Sequence, residues 1–297
     1  MDLRAIGLGL AFAFMWSSAF TSARMIVADA PPLTSLALRF LVSGMIGIAI
    51  AASMGQSWKL SRIQWKATFV FGICQNALYL GLFFVAMQRI EASLAAIIAA
   101  AMPLFVGVAG WVFLGDRLRP VAILGLIMGM GGVALIMGSR LSGGADLASI
   151  LFCVIGTLAL TVATLSVRGA TTGGNVLMIV GLQMLVGSAA LAVVAIALED
   201  WNVNWSASLI LAFIYTTLVP GLLATFTWFV LVNRIGAIRA ATFHFLNPFF
   251  GVIIAALVLG EKVGVLDVVG AAVIALGILA VQLSKQVPAQ TSPGQQV

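Results

Sequence analysis

Apolar runs follow one another along almost the whole chain, parted only by short polar connections. A helix needs roughly 20 apolar residues to cross the hydrocarbon of a bilayer. Ten runs reach that length, at 3–27, 33–53, 66–87, 92–113, 120–139, 147–168, 176–198, 207–232, 239–259 and 265–284. The pattern predicts an all-α integral membrane protein with ten transmembrane helices. After the last run, Gln286–Val297 is polar and contains two Pro, so this tail is expected to be disordered and cytoplasmic. The first run ends at Ala28-Asp29-Ala30, which resembles a signal-peptidase site. The run is long for a signal core, however, and it is echoed at 147–168, so it is read as a transmembrane helix.

The pattern also repeats. Arg89–Arg140 reads R-I-E-A-S-L-A-A, then M-P-L-F, then F-L-G-D-R-L, and closes on Ser139-Arg140. Arg234–Lys285, 145 residues further on, reads R-I-G-A-I-R-A-A, then N-P-F-F, then V-L-G-E-K-V, and closes on Ser284-Lys285. At an offset of 144, Asp2-Leu3 matches Asp146-Leu147 and Arg24 matches Arg168. The chain therefore reads as a duplication, with a first repeat at 1–144, a second at 145–285 and the tail at 286–297. Five spans per repeat is an odd number, so the second repeat should enter the membrane inverted.

Composition fixes the solvent and removes several functions. The chain is 62% hydrophobic and 8% charged, against roughly 25% charged in a soluble domain. The net charge of +6 is scattered singly between apolar runs and forms no nucleic-acid face. Cys74 and Cys153 stand alone in apolar runs, a single His is present, and no phosphate-binding G-x-x-x-x-G-K-[ST] occurs. No cofactor, metal or nucleic acid is expected. With a cytoplasmic N-terminus, ten Lys/Arg fall at inner ends (Arg4, Lys59, Arg62, Lys66, Arg117, Arg119, Arg168, Arg234, Arg239 and Lys285). Only Arg24, Arg89, Arg140 and Lys262 fall at outer ends, which favours both termini inside.

Five plus five helices, L-G-[DE]-[RK]-[LV] after the fourth and ninth spans, Pro103 and Pro248 within them, W-S-S-A-F at 16–20 and a polar third span resemble the EamA family of the drug/metabolite transporter superfamily. The resemblance covers about residues 4–284 and, within the family, is similar to bacterial amino-acid exporters of the YddG type. It implies a multi-pass inner-membrane carrier that exports small metabolites without ATP, through a cavity between two helix bundles.

Polar side chains at membrane depth carry the candidate chemistry, because hydrocarbon disfavours them. Gln75, Asn76, Tyr79 and Phe83 form one stripe on the third span, suited either to a wet cavity or to hydrogen bonds between helices. Trp16 and Ser17 lie mid-span, where an indole N–H needs a partner, and either line that cavity or pack helices. Thr157, Thr161 and Thr164 repeat at helical spacing, but their hydroxyls can bond their own helix, the preferred reading for them. Tyr215 lies toward the outer side of the eighth span, and Trp228 lies toward the inner side, as cavity wall or interfacial anchor. His244 and Asn247 precede Pro248 and either give a pseudo-symmetric cavity its specificity or simply bond each other. Trp58, Trp65, Trp201 and Trp205 read as anchors at the membrane surfaces. Arg39 is the one charge well inside a span, read first as a structural residue snorkelling toward Asp29 and second as a partner for a substrate carboxylate. Pro103, Pro220 and Pro248 are candidate hinges, since each removes a backbone hydrogen bond.

The expectation is a secondary exporter of small amphipathic metabolites, amino acids first, including aromatic and other neutral ones. Nucleosides or cationic compounds are the alternative cargo. A membrane enzyme is the rival class, opposed by the absence of clustered acid, base and nucleophile. The partners expected are a small-molecule substrate and the lipid bilayer, with the chain a monomer or weak homodimer.

Overall fold

A computed structural model describes residues 3–114, 119–142, 144–166, 175–235, 240 and 242–284. The first L-G-D-R-L motif from Gly115 to Leu118, together with Arg168, Arg239, Lys285 and the tail at 286–297, lies outside the described residues. Helix α1 is Leu3–Asp29 and α2 is Pro32–Ser53. Helix α3 starts at Arg62–Phe71, continues through a π-helical Gly72–Tyr79 and ends as Leu80–Ala86. Helix α4 is Ala92–Ala100 followed, after a break, by Met102–Leu114. Helices α5, α6 and α7 are Pro120–Ser142, Leu147–Ser166 and Val176–Leu198. Helix α8 joins Ala207–Thr216, a second π-helical segment Thr217–Leu223 and Ala224–Ile235. Helix α9 is a 3₁₀ turn Thr242–Leu246 leading into Asn247–Leu259, and α10 is Val265–Ser284.

Strands are absent among the described residues. Among the described residues, eight helices, α1 to α8, are long and apolar enough to cross a membrane, and Phe243–Leu259 and Val265–Val281 are shorter apolar helices. The ten-span expectation exceeds this by those two, of which the first opens on a 3₁₀ turn.

Local chemistry sets the helix ends. Ser61 and Gln64 form a reciprocal capping box at the start of α3. Ser206 accepts from the Leu209 amide at the start of α8. At one end of the bundle, carboxylates cap other helices. Glu199, after α7, accepts from the Leu33 and Thr34 amides of α2 at 2.7 and 2.8 Å. Glu261, after α9, accepts from the Ala92 and Ser93 amides of α4 at 2.7 and 2.9 Å. These bonds satisfy amides that a helix cannot pair internally, and the negative charge suits the N-terminal end of the dipole. At the opposite end, Gln56 Oε1 accepts from the Met178 amide and Asn175 Oδ1 from the Ser57 amide, tying the α2–α3 loop to the start of α7.

Packing follows the register of the repeat. Helix α1 packs on α8 and α9, while α6 packs on α3 and α4; α2 pairs with α7, and α5 with α10. The α5–α10 seam is a backbone contact: a Cβ added at Gly277 would lie 2.5 Å from the Gly125 carbonyl oxygen and 2.7 Å from the Gly129 nitrogen. Small residues let helices approach where lipid supplies no hydrophobic force between them. Every residue of Ala92–Ala100 is buried, so α4 runs through the middle. Phe113, Ile127, Val193 and Leu257 stand on the outside, as lipid-facing residues should.

Candidate functional site

The two π-helical segments begin 145 residues apart, at Gly72 and Thr217. A π turn closes i→i+5 bonds and shifts the faces that an α-helix would present, and such turns gather at functional sites. Between the two segments lies a small cavity of about 50 Å³. Its walls include Trp16 and Phe20 from α1, Arg39 from α2, Gln75, Tyr79 and Phe83 from α3, and Pro220 from α8. Tyr79 and Phe83 pack as tilted rings with centroids 4.7 Å apart, and Phe83 meets Phe20 at 6.0 Å. The wall is thus mostly apolar and rich in aromatic rings, with an amide, a phenol and a guanidinium in it.

A second aromatic group adjoins the cavity at Trp16. Phe12 packs on Trp16, Trp228 and His244 at 5.7, 4.8 and 5.2 Å between centroids. His244 lies 5.3 Å from Trp228 and 6.5 Å from Trp16, so α1, α8 and α9 meet there. The Asn247 amide nitrogen and His244 Nδ1 are 3.1 Å apart. With the amide donating, the ring is neutral and carries its proton on Nε2. Two wider clefts, of about 630 and 620 Å³, open among the loops. They are surface grooves, the first lined by Glu199, whose carboxylate already caps α2, and the second by the loop that follows Glu261, whose carboxylate caps α4.

The sequence profile of the EamA-like transporter family matches residues 3–138 and 147–283, nearly the whole chain. The chain belongs to the EamA-like transporter family. An uncharacterized transporter YvbV of Bacillus subtilis is 23% identical over 83% of this chain and 81% of its own length. An uncharacterized inner membrane transporter YedA of Escherichia coli K12 is 26% identical over 95% and 92%. An aromatic amino acid exporter YddG of Ancylobacter novellus is 28% identical over 46% of this chain and 47% of its own. One solved crystal structure superposes with a TM-score of 0.68 at 20% identity, covering 97% of this chain and all of that one, a likeness of fold.

Within this EamA-like fold the candidate residues divide into several groups. Trp16, Gln75, Tyr79 and Phe83 meet at the cavity, while Trp228 and His244 join the adjoining aromatic group. Asn76 does not line the cavity: its Nδ2 donates to the Gln183 carbonyl of α7 at 2.9 Å, and the residue is buried. Ser17 Oγ donates to the Asn247 carbonyl at 3.3 Å, an α1–α9 tie. Tyr215 shares a hydrogen bond with Ser18 Oγ at 2.8 Å, a tie between α1 and α8. Thr161 donates to the Thr157 carbonyl of its own helix at 2.9 Å, and Thr157 and Thr164 do the same one turn back. Arg39 does not reach Asp29, whose carboxylate binds Ser206 at 2.6 Å and Asn204 at 3.2 Å.

The prolines sit at irregularities. Pro103 opens the second piece of α4 after the break at Ala101, and Pro248 opens the regular part of α9 at the equivalent place. Pro220 lies inside the second π segment. Phe20 and Phe84 in the cavity wall, and Phe12 in the adjoining aromatic group, are residues that the sequence reading did not single out. Phe12 and Phe20 lie four residues either side of Trp16, and that spacing was the available signal.

Proposed function

We propose that this transporter is a secondary exporter of small amphipathic metabolites, most readily neutral amino acids including aromatic ones, working by alternating access without ATP. The observation that carries this is the cavity between the two π segments, where an amide and a phenol stand beside aromatic rings. An apolar side chain suits the rings, and polar main-chain groups suit Gln75 and Tyr79. The YddG exporter of Ancylobacter novellus, named for aromatic amino acids, supports the same cargo class.

The architecture in this proposal is ten helices in two inverted five-helix repeats at 1–144 and 145–285. Its support is the register of irregularities, with π segments in α3 and α8 and helix breaks before Pro103 and Pro248, each pair about 145 residues apart. The reciprocal packing of α1 on α8 and α9 and of α6 on α3 and α4 agrees with it. The Lys/Arg asymmetry supports both termini being cytoplasmic, and the inner membrane transporter YedA of Escherichia coli supports a bacterial inner-membrane location. The protein works as a monomer or weak homodimer. Counterflow in proteoliposomes, over amino acids, nucleosides and cationic drugs, tests the cargo. Exchange of neutral amino acids is expected. Exchange confined to nucleosides or cations, or a chemically altered solute, would reject it.

A further inference from the structure

Among the described residues, Arg39 is a buried cation that meets no carboxylate. It lies seven residues in from Pro32, about 10 Å at 1.5 Å per residue. Only 6% of it is exposed, and its buried Nε has no hydrogen-bond partner. Its recorded neighbour is the Phe40 ring, 5.2 Å from Cζ. The acids nearest that end are engaged elsewhere, Asp29 with Ser206 and Asn204, and Glu199 with the amides that open α2. One turn along the same face of α2, Ser43 Oγ is also buried without a partner. The guanidinium Nη2 and the Ser43 hydroxyl lie 3.6 and 3.5 Å from one point, the position a Cβ on Gly221 would take. Both donors therefore face the π segment of α8, and Arg39 is in the cavity wall.

A cation held out of water without a counter-charge is unfavourable, and more so at membrane depth. A snorkelling arginine would reach the interface, and a structural one would bond a carbonyl or carboxylate. Arg39 does neither. A planar guanidinium fits a carboxylate through two parallel hydrogen bonds, which would supply the missing partner.

We propose that Arg39, assisted by Ser43, is the anion-binding subsite of the central cavity, and that the transported solute carries a carboxylate at one end and an apolar or aromatic body at the other. The body lies toward Trp16, Phe20 and Phe83, with Gln75 and Tyr79 beside it. A cavity of about 50 Å³ holds one or two waters at about 30 Å³ each. That is too small for such a solute, which would enter when the helices part. Because Arg39 lies against α8, carboxylate binding would link α2 to the π segment around Pro220. This inference rests on the transport reading above and narrows its cargo to anions and zwitterions, excluding purely cationic solutes.

The test compares matched solutes on the purified full-length protein in proteoliposomes: phenylalanine, phenylalaninamide and phenethylamine, with the leucine series alongside. Acids are expected to exchange at least tenfold faster than their amides and amines. Arg39→Gln should raise KM for the acid at least tenfold and cut the preference for acid over amide at least tenfold, while Ser43→Ala should weaken the acid several-fold. If acid and amide exchange alike, or if Arg39→Gln leaves the acid KM unchanged, the subsite is wrong and the transport reading stands. If no member of the panel moves, the amino-acid reading fails. The subsite is then judged by binding, with phenylacetate expected to quench tryptophan fluorescence in the native protein but not in Arg39→Gln. Equal quenching in both, or none in either, overturns it. Should Arg39→Gln fail to give monodisperse protein, Arg39→Lys keeps the charge and loses the two-pronged geometry. It should raise the acid KM several-fold, and an unchanged KM counts against the proposal.

Discussion

Gln75 and Asn76 adjoin in sequence and part company in the fold. Gln75 is in the cavity wall, whereas Asn76 donates to the Gln183 carbonyl on α7. An α-helical wheel puts both within one broad stripe with Tyr79 and Phe83, but they lie in a π turn whose faces depart from the 3.6-residue period. Their substitutions should therefore differ in kind. Asn76→Ala is expected to lower thermal stability, by about 0.5–2 kcal/mol for an interhelical hydrogen bond in a membrane protein, without reordering substrates at equal amounts of folded protein. Gln75→Ala should keep its melting temperature within a degree or two and raise the KM of the cognate solute several-fold. Tyr79→Phe, which removes a hydroxyl and keeps the ring, should shift selectivity more than rate. Thermal unfolding and counterflow on the same preparations check all three, and matching effects of Gln75→Ala and Asn76→Ala would contradict the division.

At the scale of elements, the glycine seam and the proline irregularities make opposite demands. Gly277 meets backbone on α5 and has no room for a side chain. Gly277→Ala should lower stability by about 1–3 kcal/mol, the usual range for overpacking, while Gly131→Ala, with nothing within 4 Å of its added Cβ, should be neutral. Comparison of their melting temperatures in one detergent decides this. Pro220 withholds an amide from the π segment of α8. Pro220→Ala restores that donor and favours a regular helix, so it is expected to raise thermal stability slightly and slow exchange several-fold. Faster exchange from a stabilised Pro220→Ala protein would argue that the segment is no hinge.

For the whole molecule, the open question is which way it faces. Lys59 is exposed at one end of the bundle, and Asn202 and Lys262 are exposed among the loops at the other. With Cys74 and Cys153 replaced, Lys59→Cys should resist an impermeant thiol reagent applied outside intact cells, and Asn202→Cys and Lys262→Cys should react. The reverse pattern would invert the orientation, and labelling of all three would mean mixed insertion. Either result would leave the cavity and its lining unchanged, because these depend on contacts between helices and not on which side is cytoplasmic.

The membrane-spanning helical class, the run boundaries and the 145-residue duplication are local properties, written in hydropathy and in residues a fixed distance apart. They are legible without a fold because lipid forces each span to satisfy its own backbone. Trp16, Tyr79 and Phe83 were legible as aromatic and polar residues at depths hydrocarbon disfavours, but their meeting at one cavity was not. Which neighbour each polar group found was not. Asp29 went to Ser206 and Asn204, Asn76 to the Gln183 carbonyl, Tyr215 to Ser18, and Arg39 to none, through partners up to 197 residues away. Such pairings depend on how helices distant in sequence rotate against one another, and on two π turns that hydropathy does not mark. The tertiary structure therefore decided which side chains hold the bundle together and which face the cavity.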